Sequence, residues 1–180
     1  MKMINVIFSI AMLFAAGCFK DEPAASTESA PSTVSTESTA PATPAIAPGT
    51  WTMNLDAAKE TAASRNLPIL LYFAGSDWCV WCEHVKERVF TKPEWKTYAS
   101  ENLVLVVIDF PKNTALIPER YKARNEALMR RHNPQGLFPT FTLLDSSGET
   151  IGNLEFPPYV LRNITPERFI EEINATKASR

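Results

Sequence analysis

Cysteine, histidine and long apolar runs are all scarce in this chain of 180 residues. Its 3 cysteines and 2 histidines include one Cys-x-x-Cys, at Cys79 and Cys82. His84 follows on the same helical pattern, in poor geometry for a closed tetrahedral zinc site with those thiols, so no metal is expected. Covalent haem attachment needs a histidine directly after the second cysteine, and Glu83 stands there. No nicotinamide or flavin motif occurs, so no bound cofactor is implied. The apolar stretch Ile4 to Ala16 is shorter than the roughly 20 residues that cross a bilayer. Excess charge of one sign is also lacking in the main body. Of 18 Lys and Arg and 20 Asp and Glu, only Lys2, Lys20, Asp21, Glu22, Glu28 and Glu37 precede Trp51, so the remainder balances. Nothing in that balance suggests nucleic-acid binding. Arg120, Lys122, Arg124, Arg130 and Arg131 share a helical segment with Glu119 and Glu126 and read as a solvated face.

Lys2 followed by the short apolar stretch has the form of a signal-peptide core. The sequence Ala15-Ala16-Gly17-Cys18 resembles the bacterial lipoprotein signal, with Ala15 where leucine is more usual. That resemblance implies a signal peptide over 1–17 and lipidation of Cys18, palmitate included, as the mature N-terminus. An ordinary secretory signal with a chance cysteine is the alternative. Two acyl chains anchor a protein stably, whereas one does not. Residues 18–50 are almost entirely Ala, Pro, Ser, Thr and Glu after the cysteine, with no periodic apolar face to offset ordering entropy. They read as a disordered tether with an end-to-end distance of about 30 Å. The remaining 51–180 form one domain.

With Cys18 lipidated, the mature chain keeps only Cys79 and Cys82 as thiols. The run Ile69-Leu70-Leu71-Tyr72-Phe73 fits a buried strand, and Val85 and Val89 have helical spacing. Trp78-Cys79-Val80-Trp81-Cys82 therefore lies where a turn opens a helix. A cysteine at a helix N-terminus faces unpaired N–H groups and the positive end of the dipole, which favours its thiolate. Its partner one turn on is within reach of a disulfide. As an inert staple, so short a loop contributes only about 2 kcal/mol.

The other segments alternate strand and helix. Asp56 to Ala63 is an alanine-rich helix closed before Pro68, and Leu103 to Ile108 is a β-branched strand covered on both faces. A helix spans Glu119 to Arg131, with His132 at its C-terminal end, where the dipole favours a cation. Thr140 to Leu144 and Glu149 to Leu154 pair across the turn at Asp145-Ser146-Ser147-Gly148. Thr165-Pro166-Glu167 caps a final helix. Trp51 and Trp95 read as packing groups, and Trp78 and Trp81 as half-exposed neighbours of the dithiol. The order is βαβ, hairpin, helix: an α/β sandwich around one mixed sheet.

The motif Trp78-Cys79-Val80-Trp81-Cys82, with Phe138-Pro139-Thr140 before a later strand, resembles the thioredoxin fold. The stretch Gly75 to Cys79, with Val89-Phe90 and Pro93-Glu94, is similar to exported thioredoxin-like proteins near the C-terminal domain of the thiol:disulfide interchange protein. The resemblance implies a central mixed β-sheet flanked by helices and a thiol–disulfide oxidoreductase. It assigns Cys79 as attacking nucleophile and Cys82 as resolving thiol. It places Trp78, Trp81, Phe138, a cis Pro139 and Thr140 at the substrate, with disulfide-containing exported proteins as clients. It also suggests a membrane electron donor like the interchange protein. A non-catalytic thioredoxin-like module that docks clients is the alternative. Two departures stand out. The buried acid that thioredoxins carry about six positions before the first cysteine is absent at Tyr72-Phe73, leaving water or Glu83 to handle the Cys82 proton. Val80-Trp81 replaces Gly-Pro between the cysteines, so the potential is not legible from the motif.

Overall fold

Strand β2 (Ile69–Ala74) holds the centre of the sheet because it has no polar face, and all six of its residues are buried. Such a strand must be covered on both sides. Its neighbours are β3 (Val104–Asp109), parallel, and β4 (Thr140–Leu144), antiparallel. The two-residue β1 (Trp51–Thr52) pairs in parallel outside β3, and β5 (Thr150–Asn153) pairs antiparallel outside β4. The resulting order is β1-β3-β2-β4-β5. The structure is a computed structural model that describes residues 45–179. Cys18, the expected signal peptide and most of the expected tether lie outside those residues.

Alternation along the strands sorts the core into two layers. Leu70, Tyr72 and Ala74 of β2 face one side with Leu105, Phe141 and Leu143. Covering them are α2 (Val80–Val85), a π-helical turn that continues it (Lys86–Phe90), α3 (Pro93–Asn102) and α6 (Pro166–Ala178). Ile69, Leu71 and Phe73 face the other side with Val104, Val106 and Ile108. That layer is closed by α1 (Leu55–Arg65) and by Leu128 and Met129 of α4 (Glu119–His132). Among the described residues, no helix is long and apolar enough to cross a membrane.

Side-chain caps fix the starts of two helices, the second of them as read from the sequence. Asn54 Oδ1 accepts the Ala57 N–H at 3.2 Å, and Thr165 Oγ1 accepts that of Arg168 at 3.3 Å ahead of Pro166. Backbone contacts reach upstream of Trp51. The Ile46 N–H donates to Thr61 Oγ1 at 3.1 Å and the Gly49 N–H to Leu103 O at 3.0 Å. The structure adds β1, α3, a 3₁₀ turn at Thr114–Leu116 and the single-turn α5 (Pro158–Arg162) to the elements read from sequence.

Two surface readings change. Arg124 is not a solvated cation: it donates to Met53 O and Asn125 Oδ1, and its guanidinium lies 4.3 Å from the Tyr121 ring centroid. His132 closes α4, but it is buried and not presented to the dipole as a cation. Burial first, then the charges of Arg131 and Lys59, hold its pKa below the ordinary value. The unfolded chain therefore takes up this proton at higher pH than the folded one. Stability from the neutral imidazole is complete above about pH 6.5 and falls as the pH drops below it. His132→Gln should flatten the decline of Tm between about pH 7 and pH 5. Identical Tm–pH slopes for the two proteins would contradict this.

Candidate active site

The turn that carries the cysteines is fastened residue by residue to the end of β3. Gly75 O accepts the N–H groups of Trp78 (3.2 Å) and Cys79 (2.8 Å). Ser76 donates its N–H to Asp109 Oδ1 at 2.9 Å and its hydroxyl to Oδ2 at 2.6 Å. The Asp77 carboxylate accepts the N–H groups of Lys112 and Asn113, both at 2.8 Å, and these bonds hold its pKa below the ordinary value. Trp78 Nε1–H donates to Phe110 O at 2.7 Å. Gly75 is required here because a Cβ at that position would sit 2.3 Å from the Trp78 indole.

This anchoring presents Cys79 as the N-cap of α2. Its backbone is extended (φ −84°, ψ 97°), and its Sγ accepts the Cys82 N–H at 3.1 Å. The sulfur thus occupies the place an oxygen takes in an ordinary cap, at the positive end of the helix, and shares the Cys82 N–H with Cys79 O, which accepts it at 3.0 Å. Both features stabilise a thiolate. Cys79 and Cys82 are joined as a disulfide, with Cα atoms 5.2 Å apart, and are 8% and 4% exposed.

A cavity of about 430 Å³ lies on the sheet side of the pair. Both cysteines line it, with Trp51, Tyr72, Phe90, Val107 and Asp109. It exists because β1 ends at Thr52, opposite Val106, and leaves the last three residues of β3 without an outer partner. The Tyr72 hydroxyl donates to Cys82 O at 3.2 Å. Burial, then the charges of Asp109 and Glu83, push its pKa far up, so it stays a neutral phenol. Glu83 and Lys86 also line this cavity, half-exposed and ion-paired at 3.0 Å.

The expected substrate residues divide between two places. Phe138–Pro139 is a cis peptide, and the Phe138 ring packs edge-on against Trp78 at 5.2 Å, which sets this segment beside the dithiol. Pro139 and Thr140 line a separate recess with Leu137 and Phe156, not the cavity shared by the cysteines. Trp78 and Trp81 are 39% and 40% exposed, half-open as read from the sequence. His84 lies 3.2 Å from Arg162 O, and His132 is at the far end of α4 beside Thr150.

Sequence reasoning missed three contributors. Asp109 follows the last residue assigned to its strand, and its partner Ser76 is distant in sequence. Of the pair Tyr72-Phe73, it is Tyr72 that lies on the dithiol face of β2. Asn133 grips both sides of Leu137, donating to its carbonyl at 2.8 Å and accepting its N–H at 3.1 Å, and so sets the approach to Phe138.

A dithiol opening a helix, beside a cis-proline segment on a mixed sheet, is an arrangement that can exchange disulfides. Residues 50–146, more than half the chain, match the family model described as thioredoxin-like. A 101-residue stretch is 32% identical to a protein of Chlamydia pneumoniae named disulfide bond reductase DsbH. That stretch covers 56% of this chain and 60% of the relative. The solved structure of a DsbH oxidoreductase superposes with a TM-score of 0.63 and 26% identity, over 80% of this chain and 95% of that one. The reduced C-terminal domain of DsbD from Neisseria meningitidis gives 0.45 and 23%, over 71% of this chain and 99% of that domain. On the match across residues 50–146 and the fold that carries Cys79 and Cys82, this chain belongs to the thioredoxin-like family.

Proposed function

We propose that this protein is a thiol–disulfide oxidoreductase of the cell envelope, tethered to a membrane through Cys18 and the Ala/Pro/Ser/Thr-rich segment that follows it, and working as a reductase of exported proteins. The observation that carries the reading is Cys79 Sγ in the capping position of α2, accepting the Cys82 N–H. The name of the Chlamydia pneumoniae relative supports the reductive direction. The signal-like leader ending in Cys18 supports export and anchoring.

In the reductive half-cycle the Cys79 thiolate attacks a substrate disulfide, forming a mixed disulfide and expelling one substrate thiolate. Cys82 then attacks Cys79 Sγ, the mixed disulfide breaks, and the second substrate thiolate leaves. Two electrons pass from the dithiol to the substrate, leaving the Cys79–Cys82 disulfide seen in the structure. Val80, 79% exposed, and the half-open Trp78 and Trp81 offer the client apolar surface, which Phe138 extends through its contact with Trp78, while Pro139 and Thr140 would meet the client from the neighbouring recess. A dithiol donor outside the membrane, of the interchange-protein kind, returns the pair to the reduced state.

Direction is tested by equilibrating the protein in glutathione buffers and measuring its potential. A reductase should lie near thioredoxin, about −270 mV; a value near the strong oxidant DsbA, about −120 mV, would overturn this direction.

A further inference from the structure

The second half of that cycle must take a proton from Cys82, and β2 offers no carboxylate on the dithiol face: its residues there are Leu70, Tyr72 and Ala74. Three acids lie close. Asp77 is exposed and committed to two backbone N–H groups of the next loop. Glu83 is half-exposed and paired with Lys86. Glu83 and Asp109 both line the cavity that holds Cys82, but only Asp109 is buried, at 4% exposed, and it makes no ion pair among the described residues. The Tyr72 phenol, hydrogen-bonded to Cys82 O, feels the charge of Asp109 more than that of Glu83.

We propose that Asp109 and Ser76 together store the proton that Cys82 releases during resolution. Both side-chain bonds of the Asp109 carboxylate run from Ser76: the N–H on Oδ1 and the hydroxyl on Oδ2. A serine hydroxyl can donate or accept. When Oδ2 takes the proton, the Ser76 hydroxyl turns and accepts from it, while the Ser76 N–H stays on Oδ1. The loop that carries Cys79 therefore keeps its anchor in both protonation states. The step balances. Cys82 S–H gives its proton to Asp109 Oδ2, and the Cys82 thiolate forms a bond to Cys79 Sγ. The bond from Cys79 Sγ to the substrate sulfur breaks, and the departing thiolate takes the proton back from Asp109. Tyr72 does not compete for this proton, because burial and the two nearby carboxylates keep its hydroxyl protonated. Lys86 and Lys96 line the same cavity, Lys86 being held by Glu83.

This inference rests on the oxidoreductase reading, and one experiment separates the two. The reduced protein is mixed rapidly with oxidised glutathione. Attack by Cys79 is second order and scales with glutathione; release by Cys82 is first order and does not. Asp109→Asn should slow release about a hundredfold, within the range for a removed proton acceptor, and leave attack within about twofold. Ser76→Ala should slow release by less, and Ser76→Thr, which keeps a hydroxyl, should restore it. If Asp109→Asn does not fold, the Ser76 pair alone decides: equal release in the alanine and threonine proteins overturns the proposal. Unchanged release in Asp109→Asn, or an equal fall in both phases, also overturns it. If the native protein forms no mixed disulfide with glutathione, the oxidoreductase reading fails first.

Discussion

Cys79→Ser abolishes disulfide reduction by this protein, with a fall of about a thousandfold or more, the scale expected when a covalent nucleophile is removed. The loss is chemical, because serine suits the structural part of the position. Cys79 is an N-cap whose Sγ accepts the Cys82 N–H, and a serine oxygen is among the best groups for that task. The turn behind it is held by Gly75, Ser76, Asp77 and Trp78, none of which depends on the sulfur. The short loop closed by the disulfide contributes only about 2 kcal/mol, so the domain remains folded without it. Reduction of insulin with dithiothreitol as electron source gives the rate, and circular dichroism confirms the fold. Activity that survives in folded Cys79→Ser would remove Cys79 from the mechanism and favour a module that only docks its clients.

The largest expected effect on stability falls on Phe90. Its ring meets five others, at centroid distances of 5.0 Å to Trp51, 5.3 Å to Tyr72, 5.2 Å to Trp95, 5.5 Å to Phe169 and 6.1 Å to Phe141. Through these contacts it ties β1, β2, α3, α6 and β4 to the π-helical turn behind the dithiol. Truncating a buried phenylalanine to alanine costs about 3–5 kcal/mol, a large share of a domain's usual 5–15 kcal/mol. Phe90 also walls the cavity beneath the cysteines, so the loss enlarges an existing space that has little scope to collapse. Phe90→Ala should shift the urea midpoint down by about 2 M, taking a slope of about 2 kcal/mol per molar. A cost below about 1 kcal/mol would mean that the aromatic cluster repacks around the gap.

How much of this was legible in the sequence depended on whether the signal was local. The β2 run, the helix behind Cys82 and the Thr165 cap each carry their evidence within a few residues, and each is present as read. The cis Pro139 was implied by the family resemblance and not by the residues themselves, and its segment is set beside Trp78 by the Phe138 ring contact. Helix α3 does carry a local signal: Pro93 at its first position, with Trp95 and Ala99 one turn apart on the buried side. β1 left no signal, because two residues of ladder have no periodicity. The chemistry of the site was the least legible part. Counting back from Cys79 gives Tyr72-Phe73 without choosing between them; in the fold Tyr72 lies in the core layer of the dithiol and Phe73 in the opposite one. The carboxylate that accompanies Tyr72 comes from the end of β3, joined to the loop only through Ser76 in the folded chain. Pattern reading finds what repeats along a strand or helix; a bond between a turn and a distant strand end leaves no such pattern.

The central claim, that Cys79 attacks and Cys82 resolves, is tested most directly by trapping. The Cys82→Ser protein, reduced and mixed with a disulfide-bonded client such as insulin, should accumulate a covalent complex that dithiothreitol dissolves. Peptide mass spectrometry should place the link at Cys79. A complex that forms instead through Cys82 in the Cys79→Ser protein, with none in Cys82→Ser, would reverse the two roles and contradict the account.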